Sequence, residues 1–273
     1  MSGRKRVLIT GAGGTIGSSI RNQIGSEYDF TYLVHREAHV EGPNYRLVDA
    51  LTDYAGLKRS FEGQDVVVHL AISHVEPRDL NNMAMAENVY KAAQEAKVPR
   101  MITASSIHAV GGYWGKDFRF PPHDGFWSKK DVYRYIARRE YDKVKSIPLV
   151  SVDDLPYPDS TYGATKVYME ALGKFYADLG LSVVCIRFGG VNPEDSPLKG
   201  PYNETGYHSI WFSHRDVGQL IRKCIDAQNL PPFVIFFGVS NNKYCILDIS
   251  NARKLIGYTP QDDAETFFTQ KKP

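Results

Sequence analysis

Residues 7–17, with the sequence Val-Leu-Ile-Thr-Gly-Ala-Gly-Gly-Thr-Ile-Gly, decide the fold of this chain. An apolar run leads directly into a glycine turn, and a helical pattern begins at Thr15. In such a unit the glycines allow a sharp turn, let the backbone approach a pyrophosphate and permit close packing of helix on strand. The start of the helix offers unpaired N–H groups to phosphates. Glycines also mark ordinary tight turns, but their place in a βαβ unit favours a dinucleotide site comprising Gly11, Gly14, Thr15, Ile16 and Gly17.

Short apolar strands and helical patterns alternate along the rest of the chain. The predicted strands are Val7–Thr10, Phe30–Val34, Tyr45–Val48, Asp65–Ala71, Met101–Ala104, Leu181–Phe188, Phe233–Gly238 and Tyr244–Asp248. The predicted helices are Thr15–Ile24, Asp53–Phe61, Leu80–Ala96, Tyr162–Asp178, Asp216–Ala227 and Asn251–Ile256. This alternation predicts an α/β fold with a doubly wound parallel sheet of the Rossmann type over residues 1–188, which carry an insertion at 113–150. We expect residues 189–273 to form a smaller, mainly substrate-binding lobe that partly returns to the sheet.

The composition restricts the class of protein. The formal charge of +2 gives no reason to expect nucleic acid or an anionic membrane as a partner, and no apolar stretch approaches transmembrane length. No signal-peptide pattern follows the basic N-terminus, so we expect a soluble, cytoplasmic protein. Cys185, Cys224 and Cys245 lie in apolar surroundings and lack zinc-ligand spacing, which predicts buried free thiols and no metal site.

The end of the second predicted strand indicates which dinucleotide binds. An NAD site places an acidic residue there to accept from the ribose 2′-hydroxyl, but this chain has His35 followed by Arg36. A guanidinium pairs well with a 2′-phosphate, so we predict NADP, with NAD possible. The alternative is a solvated Arg36, with Glu37 binding the ribose. Asp49, followed by Ala50, is predicted to contact the adenine, or else to form a plain turn before the next helix.

Tyr162 and Lys166 lie four positions apart at the start of a predicted helix and therefore share one face. An unperturbed tyrosine titrates near 10, too high for a base at neutral pH. A lysine ammonium and a cationic nicotinamide nearby would favour the phenolate. The pair alone occurs often by chance, and a structural tyrosine is the default interpretation.

Together with the glycine turn, further segments resemble a known family. These are Asp65–Ala71 with its His69-Leu70-Ala71 ending, Asn82, Ser105-Ser106, the Tyr162/Lys166 pair and Arg187-Phe188-Gly189. The chain resembles the extended short-chain dehydrogenase/reductases, the NAD-dependent epimerase/dehydratase family, over nearly its whole length. The resemblance implies that Tyr162 is the general base, that Lys166 holds the nicotinamide ribose and lowers the tyrosine pKa, and that Ser106 binds the reacting oxygen. It also implies that Leu70, Ala71, Phe188 and Val191 line the cofactor.

Within the family, the chain is most similar to the branch of uronate dehydrogenases and archaeal glucose-6-phosphate dehydrogenases. The similar segments are 105–111, 211–217, 238–242 and 255–264. Enzymes of this branch oxidise the C1 hydroxyl of an aldose to an aldonolactone. The resemblance places Ser73, Ser106 and His108 at the sugar. The alternative for His108 is a loop histidine whose hydrogen bonds are made within the protein. Ile107 and Gly190 stand at substrate positions where uronate dehydrogenases have Asn and Ser, and the arginine that binds the uronate carboxylate has no clear counterpart near Gly206. We therefore expect a sugar without a free carboxylate.

The insertion contains a basic segment, residues 116–145, with nine Lys or Arg against five Asp or Glu. Its cations Lys129, Lys130, Arg134, Arg138 and Arg139 offer a grip for a phosphate or nucleotide; the alternative is a solvated helix with Val132, Ile136 and Val144 packed on the body. The leading prediction is an NADP-preferring dehydrogenase of a sugar or sugar phosphate. The alternatives are a nucleotide-sugar epimerase or dehydratase and a non-catalytic NADP-binding regulator. The intact Ser106, Tyr162 and Lys166 argue against the regulator.

We also predict a homodimer through the helices Leu80–Ala96 and Tyr162–Asp178. These helical patterns have more apolar residues than one core-facing stripe needs, including Met83, Met85, Val89 and Tyr90.

Overall fold

A seven-stranded parallel sheet forms the centre of the protein. The computed structural model describes residues 3–39, 42–114, 131–198 and 206–269. The strands are β1 (Arg6–Thr10), β2 (Asp29–Val34), β3 (Tyr45–Leu47), β4 (Val66–His69), β5 (Arg100–Ser106), β6 (Ser182–Phe188) and β7 (Phe233–Gly238). Their order is β3-β2-β1-β4-β5-β6-β7, so the chain moves outward from β1 in one direction and from β4 in the other. This confirms the predicted doubly wound, Rossmann-like α/β fold.

Helices cover both faces of the sheet. They are α1 (Thr15–Ile24), α2 (Tyr54–Phe61), α3 (Arg78–Glu95), α4 (Asp131–Ala137), α5 (Thr161–Asp178), α6 (Tyr207–Ile210), α7 (His214–Asp226), α8 (Ser250–Ile256) and α9 (Glu265–Thr269). α1 packs on α7, whereas α3 packs on α2 and α5. Successive residues of β1 point to opposite faces, so Val7 and Ile9 join one apolar cluster and Leu8 the other. Both faces are buried, which explains why the strands read as continuous apolar runs.

The predicted strand Tyr244–Asp248 is wrong. In place of a ladder, this segment makes one isolated bridge, between Leu247 and Val150. Tyr244 stacks on Tyr141 with 3.8 Å between ring centroids. Its apolar residues are therefore explained by burial against a loop, not by pairing in the sheet.

The apolar residues of α3 do not form the surplus surface that the sequence suggested. Met85, Val89 and Tyr90 are all buried within the chain, and Met83 is partly buried. Tyr90 stacks on Tyr176 of α5 with 5.4 Å between ring centroids. α3 is covered by the sheet and by two neighbouring helices, so a wider arc of it is buried than one stripe requires.

The C-terminal third returns to the sheet through β7, which pairs with β6. The part of the insertion that is described packs on the body of the protein. Tyr133 and Ile136 of α4 are fully buried, and Val132 and Val144 pack against the same cluster. Lys129 and Lys130 lie outside the described residues. The division into two parts at residue 188 stays a prediction.

Candidate active site

The predicted site residues collect at the carboxyl ends of the strands, where the strand order reverses between β1 and β4. Two adjoining cavities open there, and Ile72 lines both. The β2-side cavity, of about 270 Å³, is lined by the predicted residues Gly11, His35, Arg36, Asp49, Ala50, Ala71 and Ser73. The β5-side cavity, of about 340 Å³, is lined by Ile16, Leu70, Ser106, Ile107, His108, Tyr162, Lys166, Phe188, Gly190 and Val191. Gly14, Thr15 and Gly17 lie at the start of α1.

The glycine turn suits the phosphates of a dinucleotide. Gly11 has a φ of +69°, and a β-carbon there would lie 2.6 Å from the backbone nitrogen of Ala71. α1 then begins after Gly14, and within the described chain no side chain caps this helix and no acidic residue lies in its first turn. The N–H groups at its start are therefore suited to a phosphate. The residues present fit a bound dinucleotide.

The structure adds a histidine to the glycine turn that sequence reasoning missed. His39 closes the 3-10 turn Glu37–His39, and a β-carbon at Gly13 would lie 2.9 Å from its Nδ1 atom. Its ring also meets that of His35 edge-on, with 6.2 Å between centroids. Burial and the charge of Arg36 lower the pKa of His35. Nothing in the sequence marks this contact, because it joins two loops.

Asp49 lies two residues beyond β3, at the rim of the β2-side cavity. Its carboxylate accepts a hydrogen bond of 2.8 Å from the backbone N–H of Leu51. Asp49 therefore stabilises the turn before α2 and also lines the cavity, so both interpretations of this residue agree with the geometry.

Tyr162, Lys166 and Ser106 come together around the β5-side cavity. Ser160 caps α5 through a hydrogen bond of 3.1 Å from the Gly163 N–H, which fixes the start of the helix that carries Tyr162. The Lys166 Nζ atom lies 5.4 Å from the Tyr162 ring centroid and donates to the Ala104 carbonyl at 2.9 Å. Burial lowers the pKa of Lys166 to about 8. A cation is thus held beside the tyrosine below that pH.

Directly beneath these groups lies a buried ion pair that sequence reasoning did not identify. Glu170, one turn beyond Lys166 on α5, accepts from Arg187 Nε at 2.8 Å and from Nη2 at 2.9 Å. The Ser105 hydroxyl donates to the same carboxylate at 2.6 Å. The three side chains join α5 to β5 and β6. The sequence offers two signals for this pair. One is the i, i+4 spacing of Lys166 and Glu170, and the other is the presence of an arginine in an apolar strand.

On the other wall of the β5-side cavity, Gly190 lies beside the aromatic ring of Tyr207. A β-carbon at Gly190 would overlap that ring. The Tyr207 hydroxyl accepts from the Asn192 side-chain amide at 3.3 Å, and both side chains line the cavity. Sequence reasoning singled out Gly190 but neither Tyr207 nor Asn192.

Ser73 lies away from the other predicted substrate residues. It lines the β2-side cavity, while Ser106, Ile107, His108 and Gly190 line the β5-side cavity. The Asn82 side chain holds the Ser73 backbone, accepting from its N–H at 2.8 Å and donating to its carbonyl at 3.0 Å. The Ser73 hydroxyl accepts from the Val75 N–H at 3.2 Å.

Two described arginines of the insertion contact aromatic rings. Arg139 lies over the Phe268 ring at 3.9 Å from its centroid, and Arg134 lies 5.8 Å from that of Tyr135. Neither of these two, nor Arg138, lines the β5-side cavity. The predicted phosphate grip by this segment therefore gains no support from its described part.

Three further features concern metal ions, membrane-spanning helices and the cysteines. Among the described residues, no group of three or more His, Cys, Asp and Glu side chains is arranged to hold a metal ion. Within the same residues, no helix is long and apolar enough to cross a membrane. Cys185 and Cys224 are buried free thiols, and Cys245 is a partly buried one.

The fold and the site define a nicotinamide-dependent oxidoreductase. The protein family described as NAD(P)H-binding matches residues 11–145. The NAD-dependent glucose-6-phosphate dehydrogenase of Haloferax volcanii is 31% identical, with 98% of this chain and 97% of that protein covered. The L-arabinose 1-dehydrogenase (NAD(P)(+)) of the same organism is 30% identical, with 96% and 98% covered.

Solved structures agree with these relatives. Uronate dehydrogenase from Agrobacterium tumefaciens matches with a TM-score of 0.73 and 25% identity, over 98% of this chain and 90% of that one, and a variant of it was solved with NAD. UDP-N-acetylglucosamine 4-epimerase from Bacillus cereus shares the fold, with a TM-score of 0.67 and 17% identity over 98% of this chain and all of that one. The chain belongs to the extended short-chain dehydrogenase/reductase family, and the protein is an NAD(P)-dependent enzyme of that type.

Proposed function

We propose that this protein is a sugar dehydrogenase that oxidises the C1 hydroxyl of an aldose to a lactone. The observation that carries the proposal is the convergence of Tyr162, Lys166 and Ser106 on one cavity that adjoins a dinucleotide cradle. Relatives of similar length named as dehydrogenases of glucose 6-phosphate, arabinose and uronate support a sugar substrate.

Each side chain of the site has a separate role in the proposed oxidation. Tyr162 removes the proton of the reacting hydroxyl, and Ser106 donates a hydrogen bond to the same oxygen. The Lys166 ammonium favours the tyrosinate and binds the cofactor ribose. Bound NAD(P)⁺ supplies the hydride acceptor. The N–H groups at the start of α1 bind the pyrophosphate.

A screen of aldoses and aldose phosphates with added NADP⁺ and NAD⁺ tests the proposal. Net reduction of added cofactor, followed at about 340 nm, is the expected result for a dehydrogenase. An epimerase or dehydratase would instead return the hydride and leave added cofactor unchanged. Product formation without net reduction, or no turnover of any aldose, would contradict the proposal.

NADP is proposed as the preferred cofactor, because His35 and Arg36 follow β2 where an acidic residue would bind the ribose of NAD. Replacing Arg36 by Ala is expected to weaken NADP binding by about 1.5–3 kcal/mol, the cost of losing a charge-assisted hydrogen bond, and to leave NAD binding nearly unchanged. Isothermal titration calorimetry of both cofactors measures this. Arg46→Ala is a matched control, because Arg46 is exposed and donates to the Pro43 carbonyl at 2.7 Å outside the cavity. Tighter binding of NAD than of NADP by the native protein would show that this strand end is misread.

The substrate is proposed to lack a free carboxylate and to be a sugar or a sugar phosphate. The Tyr207 ring fills the space beside Gly190, and a carboxylate buried without a cationic partner binds poorly. We expect glucuronate to have a kcat/KM at least tenfold below that of glucose or glucose 6-phosphate, about 1.4 kcal/mol of transition-state stabilisation. Measuring kcat/KM for glucose and for glucose 6-phosphate, in the native protein and in a variant with residues 116–145 shortened, tests whether the insertion contributes to binding a phosphate. A glucuronate advantage of tenfold or more would reverse this assignment.

The protein is proposed to form a homodimer through α3 and α5. Leu80, Phe175 and Leu179 are 64%, 57% and 51% exposed at these helices, although the four residues first considered are buried or partly buried. Light scattering at micromolar concentration is expected to give twice the chain mass of 30.7 kDa. Replacing Phe175 by Glu should shift the mass toward the monomer, because a charge would lie in the apolar contact. A native monomer at that concentration would contradict the proposal.

A further inference from the structure

A histidine–aspartate pair lies at the N-terminus of α5, beside the proposed catalytic groups. His108 lies in a 3-10 turn directly after Ser106 and lines the β5-side cavity. Its Nδ1 atom lies 2.9 Å and 3.0 Å from the two carboxylate oxygens of Asp159. The His108 ring meets the Tyr162 ring edge-on, with 5.4 Å between centroids. The pair therefore touches the group proposed to move the proton.

Asp159 is itself held in place from several sides. Its side chain is only 7% exposed, and the Ser160 hydroxyl donates to Oδ1 at 2.9 Å. The carboxylate lies against Gly111 so closely that a β-carbon there would overlap it. The Asp159 N–H donates to the His108 carbonyl at 3.3 Å. With the backbone and the carboxylate both anchored, Asp159 is built to fix one orientation of the imidazole.

The carboxylate also selects the tautomer of the imidazole. A histidine whose Nδ1–H donates to a carboxylate carries Nε2 as an acceptor when it is neutral. A carboxylate behind a histidine commonly serves to orient the ring. The pair thus turns a flexible side chain into a hydrogen-bonding group with a defined direction.

We propose that Asp159 is a positioning residue that holds His108 to bind the substrate hydroxyl next to the reacting carbon. The inference rests on the proposed function and deepens it. The proposed function places the reacting oxygen between Ser106 and Tyr162. His108 adjoins both, since its backbone N–H donates to the Ser106 hydroxyl at 3.2 Å and its ring contacts the Tyr162 ring. For oxidation at C1, the neighbouring hydroxyl is the one on C2. The enzyme accordingly selects aldoses that carry a C2 hydroxyl.

The test compares an aldose that the native enzyme oxidises with its 2-deoxy analogue, in the native protein and in variants. The native enzyme is expected to favour the parent sugar by about 10–100-fold in kcat/KM, because a site built to bind a hydroxyl rejects the analogue that lacks it. His108→Ala should reduce that ratio to near one. Asp159→Asn should reduce it at least threefold, mainly through a higher KM for the parent sugar. Asp154→Asn is the matched control, because this carboxylate accepts from the Ser151 N–H in the same loop and does not line the cavity.

A purely structural role for Asp159 would lower turnover of both sugars by the same factor, and that result would overturn the inference. Retention of the native ratio by His108→Ala would also overturn it, whether or not Asp159→Asn folds. Cofactor binding by each variant confirms an intact nucleotide site. Absence of any aldose oxidation by the native protein would remove the proposed function itself, and with it this inference.

Discussion

Replacement of Tyr162 by Phe is expected to lower kcat about 10²–10⁴-fold, the range that positioned proton transfer contributes. The substitution removes the hydroxyl and keeps the ring, so the edge-on contact with His108 is preserved. NAD(P) binding should change little, because the proposed pyrophosphate contacts lie at the start of α1. Steady-state kinetics on an accepted aldose and calorimetric titration of the cofactor separate the two effects.

Tyr168→Phe is the matched control for this substitution. Tyr168 lies on the same helix and donates to Glu87 of α3, away from the β5-side cavity. It should keep native kcat. Undiminished turnover in Tyr162→Phe would contradict the site assignment, whereas a loss of cofactor binding equal to the loss of kcat would show that the hydroxyl acts in cofactor binding and not in proton transfer.

The doubly wound parallel sheet could be predicted because its signals are local. Each strand is a continuous apolar run, which identifies a strand buried on both faces without knowledge of its neighbours in the sheet. The turn at Gly11 marks the first βαβ unit. The error at residues 244–248 has the same origin. Apolar residues indicate burial, and Ile246 and Leu247 are buried in an apolar cluster without pairing in the sheet beyond one isolated bridge. The interpretation of the apolar α3 residues as surplus surface was wrong for a similar reason, because burial by other helices of the same chain looks identical in sequence to burial by a second copy. The dimer itself stays a prediction.

Within the candidate site, the proximity of two residues could be predicted where a motif fixes their spacing. Tyr162 and Lys166 are four apart on one helix, and their proximity follows from helical geometry. Contacts between distant segments were not predictable in this way. Asp159 meets His108 across 51 positions, and Tyr207 meets Gly190 where Trp211 forms an isolated bridge with that glycine. Such partners depend on loop conformation, which composition and periodicity do not specify.

The second large effect is expected on stability, from Glu170→Ala. This substitution leaves the Arg187 guanidinium buried without its carboxylate, at 1% exposure. Removing one member of a buried pair typically costs about 3–5 kcal/mol, because the remaining charge has lost its solvation and its partner. Arg187 Nη1 already has no hydrogen-bond partner within the described chain, so no spare contact there offsets the loss. Urea denaturation followed by circular dichroism measures the change in the free energy of unfolding.

A matched control and a double variant separate charge from packing. Asp178→Ala removes the partner of Lys174 in an exposed pair on the same helix and should cost no more than about 0.5 kcal/mol. Replacing Glu170 by Leu and Arg187 by Met together removes both charges and should recover most of the lost stability, since a buried pair often exchanges with apolar residues at little cost. If the double variant is as unstable as Glu170→Ala, packing dominates instead of charge. A loss of unfolding free energy below about 1 kcal/mol in Glu170→Ala would mean that water reaches Arg187. The ion pair would then not be what stabilises the packing of α5 on β5 and β6 beneath Lys166.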